Sequence, residues 1–153
     1  MSRLTTLAYI EKNDCYLMLC RNKKKDDPNA GKWIGVGGKL ENGESPDECM
    51  LREVYEETGL TLTGYDFLGV ITFVSDTWED EYMFLYLAHD FTGTVKDNCS
   101  EGDLAWIAKD RILSLPLWEG DRIFLQQMLS GRKSVRMKLT YEGEKLVKAD
   151  LNS

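Results

Sequence analysis

The chain has 153 residues, 42% of them hydrophobic, with 26 acidic against 19 basic side chains and a formal net charge of -7. That length and composition suit one globular domain over 1–153 with a core of its own. The acidic balance is the wrong sign for gripping a nucleic-acid polymer by its phosphates, while a small anionic substrate remains compatible if a metal and a few cations neutralise it locally.

The N-terminus, Met-Ser-Arg-Leu-Thr-Thr, shows no charged leader with an apolar run, and no stretch is long enough to span a bilayer. The expectation is a cytoplasmic protein with no membrane contact. Cys15, Cys20, Cys49 and Cys99 form no Cys-x-x-Cys pair and have no zinc spacing with His89, so they read as reduced thiols.

In chain order, residues 4–10 and 16–20 are apolar runs split by Glu-Lys-Asn-Asp, which predicts a hairpin. Residues 21–32 lack apolar periodicity and carry lysines, Pro28 and Gly31, so they read as a loop. That loop is either a solvated turn or a cationic lip over a phosphate site. Trp33, Ile34 and Val36 then lead to Gly37 and Gly38, a pair that makes sense where backbone must approach something closely.

Ser45, Pro46 and Glu48 form a capping box with proline at the first helical position, and Gly59 closes the helix that follows. Met50, Leu51, Val54 and Thr58 give it an apolar stripe. Glu53, Glu56 and Glu57 stand at i, i+3 and i+4, so their carboxylates crowd one turn with only Arg52 for local relief. A solvated face would place like charges at i, i+4 at a cost of roughly 0.2–0.5 kcal/mol. A hard divalent cation wants such a set of oxygen ligands together with the phosphates of a substrate.

Residues 61–75 read as a strand bent at Gly64 or Gly69, 76–81 as a loop and 82–90 as a strand paired with the one before. His89 is solitary and reads as non-catalytic. Residues 91–103 read as loop, 104–108 as a short strand and 110–113 as a helical turn. A second helix is predicted over 118–129 from Ile123, Phe124, Met128 and Leu129, and a hairpin over 135–151 turning at Glu142-Gly143. Elements in this mixed order predict an α/β fold with a mixed sheet between helices.

The segment 38–60 resembles the signature of the Nudix hydrolases, Gly-x5-Glu-x7-Arg-Glu-U-x-Glu-Glu-x-Gly-U with U a bulky aliphatic residue. Gly38, Glu44, Arg52, Glu53, Val54, Glu56, Glu57, Gly59 and Leu60 fill every required position. The resemblance implies a Nudix α/β/α sandwich that hydrolyses a nucleoside diphosphate linked to another moiety, with Mg²⁺ or Mn²⁺ held by Glu53, Glu56 and Glu57. It also implies a backbone carbonyl of Gly37 or Gly38 in the metal shell, Lys39 beside a phosphate, and Glu44 and Arg52 orienting the glutamates. In the MutT-like branch a loop carboxylate is a further metal ligand or the base that activates water, which falls on Glu101 or, if the loop alignment slips by two, on Asp103.

Outside the signature, the runs around Gly31–Lys39 and Leu115–Asp121 and the C-terminal hairpin resemble the oxidised-purine nucleoside triphosphate diphosphatases of that branch. By that likeness Thr6, Phe73, Trp118 and Asp121 line a base pocket, with Trp118 stacked on a purine and Asp121 bonding its edge; Phe73 and Trp118 also fit a purely packing role. Two positions depart: Ile34 stands where the branch has a base-reading asparagine, and Gly120 where it has the first of two aspartates. The implied activity is release of nucleoside monophosphate and pyrophosphate from a small nucleotide substrate, of the 8-oxo-dGTP nucleotide-pool sanitising, DNA-repair kind. The alternatives are a nucleotide sugar or dinucleoside polyphosphate as substrate, or a nucleotide-sensing module without turnover.

Overall fold

In the computed structural model, which describes residues 1–152, nine strands form one mixed sheet with a helix on each face. Strand β1 (Arg3–Lys12) turns at Asn13 and Asp14 into β2 (Cys15–Cys20). Both turn residues take the left-handed conformation that a two-residue hairpin demands, with φ of 50° and 62°. The loop from Arg21 to Lys32 leads to two short strands absent from the sequence expectation, β3 (Trp33–Ile34) and β4 (Val36–Lys39). Then come α1 (Pro46–Thr58), β5 (Thr61–Ser75), β6 (Glu81–Thr92), β7 (Asp103–Ala108), a 3-10 turn (Lys109–Ser114), α2 (Glu119–Leu129), β8 (Met137–Glu142) and β9 (Lys145–Leu151).

The α/β class, the order of elements and the mixed sheet agree with the sequence expectation. The central path runs β3-β2-β1-β6-β5-β8-β9, with β4 on β1 and β7 on β2. Two pairings are parallel: β1 with β6, in register from Arg3↔Glu81 to Ile10↔Ala88, and β5 with β8. Register shifts in β5 fall at both Gly64 and Gly69, so the bend is shared between them. The last hairpin turns one residue later than expected, because Glu142 still pairs with Lys145 and Gly143 takes the left-handed position with φ 58°.

Strand alternation sorts the core into two layers. Leu7 and Tyr9 of β1 pack toward Phe124, Leu125 and Met128 of α2, whereas Ala8 and Ile10 pack toward Met50 and Val54 of α1. Helix α1 has the expected ends: the Ser45 hydroxyl accepts from the Glu48 amide, Glu48 accepts from the Ser45 amide, and Gly59 closes the helix at φ 82°. Its buried side is wider than the apolar stripe predicts and includes Cys49 and Glu57. Among the described residues no helix is long and apolar enough to cross a membrane, and all four cysteines are free.

Candidate active site

Antiparallel pairing of β1 with β4 sets Thr6 opposite Gly38 and Leu7 opposite Gly37, bringing the Gly-Gly-Lys segment across the buried side of α1. Neither glycine has room for a side chain. A Cβ at Gly37 would overlap the Thr6 carbonyl, and one at Gly38 would overlap the Glu53 carboxylate. The strand is therefore pressed onto the acidic turn, with the Gly38 peptide lying directly against Glu53.

Arg52 organises that turn. Its Nε donates to Glu44 Oε2 at 2.6 Å, one terminal nitrogen to Glu53 Oε1 at 2.6 Å and Glu56 Oε2 at 3.2 Å, and the other to Glu44 Oε1 at 2.9 Å and the Lys39 carbonyl at 3.2 Å. A guanidinium presents five donors in a fixed fork, so this residue ties loop, strand and helix together at once. Hydrogen bonds from Arg52 hold the Glu44 carboxyl down to about 2.

Glu57 is the opposite case. It is buried, and its Oε2 has no hydrogen-bond partner. Burial pushes its pKa far up, the charges of Glu53 and Glu101 push it further, and Arg21 offsets part of this. Glu53 is also raised, again by burial first, with Arg52 opposing. A buried acid facing two other acids and lacking a donor is costly unless a cation arrives. Among the described residues no three ligating side chains already surround one point, since Glu53 and Glu56 lean on Arg52. The oxygen-only donor set and the orphaned Glu57 oxygen nevertheless fit a hard divalent cation.

The structure separates the two loop acids. Glu101 lies close enough to Glu57 to raise its pKa and is itself held by Arg21 at 3.0 Å and Lys24 at 2.9 Å. Asp103 begins β7, is largely exposed, and pairs with Asn22 and Lys23. The basic loop is thus pinned by acids, Arg21 bonding Asp27 at 2.7 Å as well. His89 is away from the cavity, flanked by Asp90 at 3.2 Å and Asp66 at 3.6 Å, so it has partners that the sequence did not reveal.

Beside the acidic turn opens a cavity of about 320 Å³, bordered by Lys39, Gly37 and Gly38 at one end and by Phe73, Trp118 and Asp121 at the other. Trp118 precedes α2 and is fixed on several sides. Its indole N–H donates to Asn29 at 2.8 Å, Lys32 lies 4.9 Å from its ring centre, and Tyr141 and Trp78 meet it edge-on at 5.6 and 6.3 Å. Thr6 borders the cavity, but strand parity turns its hydroxyl toward Cys49 of α1, with Sγ 3.4 Å away; Thr5 is the threonine on the α2 side.

Sequence reasoning missed Arg3, Thr5, Arg21, Trp78 and Glu81, all of which line the cavity. Glu81 carried a legible signal: it is an acid on the same strand parity as Met83 and Leu85. Gly120 has a steric reason. Its amide donates to the Tyr141 hydroxyl at 2.7 Å, and a Cβ there would overlap Leu139 and that hydroxyl.

Acids on one helical turn, a glycine strand against them and an aromatic cavity alongside suit an enzyme acting on phosphoanhydride bonds, and the family match gives that class. Residues 1–128 match the NUDIX domain, and the chain belongs to the Nudix hydrolase family, whose members generally use divalent metal ions. It is 35% identical to the uncharacterised Nudix hydrolase YvcI of Bacillus subtilis (strain 168), over 76% of this chain and 77% of that one. It is 30% identical to the oxidized purine nucleoside triphosphate hydrolase of Danio rerio, over 86% of this chain and 83% of that one. The crystal structure of the MutT protein from Bacillus halodurans superposes with a TM-score of 0.87 at 27% identity, covering 98% and 97% of the two chains.

Proposed function

We propose that this Nudix hydrolase is a Mg²⁺-dependent (or Mn²⁺-dependent) pyrophosphohydrolase of nucleoside triphosphates, of the oxidised-purine pool-sanitising kind, with all of 1–153 acting as one domain. The observation that carries the reading is the buried, partnerless Glu57 oxygen near Glu53, whose carboxylate lies against Gly38 at the border of an aromatic cavity. The similarity to the Danio rerio enzyme supports the triphosphate and the oxidised purine.

Glu53, Glu56, Glu57 and the Gly38 carbonyl would hold the metal, with Glu101 as a further ligand. The bound ion would supply Lewis-acid stabilisation of phosphate charge and a lowered pKa for the attacking water. The chain's own residues do the rest. Arg52 keeps Glu53 and Glu56 aimed from one side and fixes the Gly38-Lys39 strand through the Lys39 carbonyl. Glu101, held by Arg21 and Lys24, would serve either as that further ligand or as the base that takes a proton from the attacking water. Lys39, at the cavity border, meets negative charge accumulating on the transferring group. Trp118 and Phe73 stack on the base and Asp121 bonds its edge.

The test is pyrophosphate and orthophosphate release with Mg²⁺ across ordinary and oxidised nucleoside triphosphates, nucleotide sugars and dinucleoside polyphosphates. Pyrophosphate release with the highest kcat/KM on 8-oxo-purine triphosphates is expected. A preference for a sugar conjugate or dinucleoside polyphosphate would replace the substrate reading, and tight nucleotide binding without turnover would replace hydrolysis by sensing.

A further inference from the structure

Two carboxyl groups sit on the α2 side of the cavity, and the family signature accounts for neither. Asp121 comes from the first turn of α2 and is buried, and among the described residues no donor offers its carboxyl a hydrogen bond. Glu81 opens β6 and is oriented by two donors. Arg3, its in-register neighbour on β1, reaches Oε1 at 3.2 Å, and the Thr5 hydroxyl reaches Oε2 at 2.6 Å. Each Glu81 oxygen therefore accepts one hydrogen bond and keeps a second lone pair free.

A plain surface ion pair explains this arrangement poorly. Arg3 is well exposed, so its pairing with Glu81 contributes little to stability, yet the acid stands on the face that β6 otherwise gives to Met83 and Leu85. Its charge also acts on Asp121, whose pKa is raised to about 7 by burial first and by Glu81 second. The walls around the two acids are Phe73, Trp78 and Trp118, which offer stacking faces and leave the in-plane edge of a ring to the carboxyl groups.

Neither departure from the branch's pocket can supply this edge reading. Ile34 lines the cavity without a polar atom in its side chain, and at 120 the space is taken by Leu139 and the Tyr141 hydroxyl. The second acid of the cavity therefore enters from the sheet.

We propose that Glu81 is a specificity-determining residue which, together with Asp121, selects a nucleobase presenting two adjacent N–H donors. The inference rests on the reading of the cavity as a base pocket. Among the common bases only the 2-amino-6-oxo purine edge meets the requirement, with its ring N1–H beside the exocyclic 2-amino group. Adenine and cytosine each place an acceptor beside their amino group, and thymine flanks its single N–H with two acceptors. A carboxyl oxygen turned toward those acceptors is left unpaired, which is how a buried polar group rejects the wrong ligand.

The experiment measures kcat/KM for the guanine, 8-oxo-guanine, adenine, cytosine and thymine deoxynucleoside triphosphates with wild type, Glu81→Gln and Glu81→Met. In parallel, calorimetry without metal follows binding of the guanine and adenine monophosphates. Wild type is expected to favour the two guanine-type substrates. Both variants should lose about tenfold on them, chiefly through KM, while the other three change by no more than about twofold. The same loss should appear in guanine monophosphate binding, and Thr5→Val, which frees Glu81 without removing it, should give a smaller loss in the same direction. An unchanged base ranking in both Glu81 variants would overturn the inference while leaving the hydrolase reading intact. Absence of turnover on every triphosphate by wild type would overturn the reading itself.

Discussion

The two ends of the site solve opposite electrostatic problems. At the hydrolytic end, acids outnumber cations, and Arg52 satisfies Glu44, Glu53 and Glu56 while Glu57 is left buried without a donor. At the cavity end the surroundings are aromatic, with a few polar groups among them: the Thr5 hydroxyl donates to Glu81, the Trp118 indole donates to Asn29, and Asp121 is buried without a donor among the described residues. In the proposed reading one end would be completed by a cation and the other by a flat ring. If the proposal holds, catalysis and selectivity would be separable, because they would draw on different side chains.

Substitutions that sharpen this contrast should change kcat at one end and KM at the other. The largest effect is expected from Glu57→Gln, with turnover falling on the order of 10³-fold or more while the circular dichroism spectrum stays unchanged; Glu53→Gln should behave alike. Near-normal rates in both would remove the assignment of these acids. Arg52→Lys keeps the charge but loses the fork to Glu44, Glu53, Glu56 and the Lys39 carbonyl, and should cost roughly 10–100-fold in kcat with little change in KM. Trp118→Ala should do the reverse, raising KM about tenfold with kcat nearly constant, since base stacking on an aromatic is worth about 1–3 kcal/mol. A fall in kcat alone would show that the two ends are coupled.

The smallest effect concerns stability. Asp121 has a pKa of about 7 in the folded chain against an ordinary 3.8, raised by burial and by Glu81. The folded state therefore holds a proton that the unfolded state releases between those two values, and stability falls as pH rises from about 4 to about 7. Asp121→Asn should accordingly raise Tm at pH 8, by roughly 2–4 °C for each kcal/mol relieved, and raise it less at pH 4. Equal shifts at both pH values would contradict the proton assignment.

The same contrast decides what was legible in the sequence. The acidic turn lies on one helix whose capping box and C-terminal glycine are local signals, so spacing alone placed Glu53, Glu56 and Glu57 together. Their inequality was not legible, because burial of Glu57 against Glu53 and Glu101 depends on β4 and on the loop before β7. The cavity gathers Arg3, Thr5, Trp78, Glu81, Trp118 and Asp121 from distant parts of the chain. Only the parallel register of β1 on β6 sets Arg3 beside Glu81, and no short-range pattern encodes that pairing. Thr6 shows how fine the margin is: a shift of one residue along β1 exchanges the α1 layer for the α2 layer.

The most direct test of the account follows Mn²⁺ binding by electron paramagnetic resonance in wild type and Glu57→Gln, with pyrophosphate release from a nucleoside triphosphate measured on the same samples. The account predicts that wild type binds the ion and releases pyrophosphate, and that the variant loses both together. A variant that releases pyrophosphate at the wild-type rate would contradict it, whether or not the ion still binds.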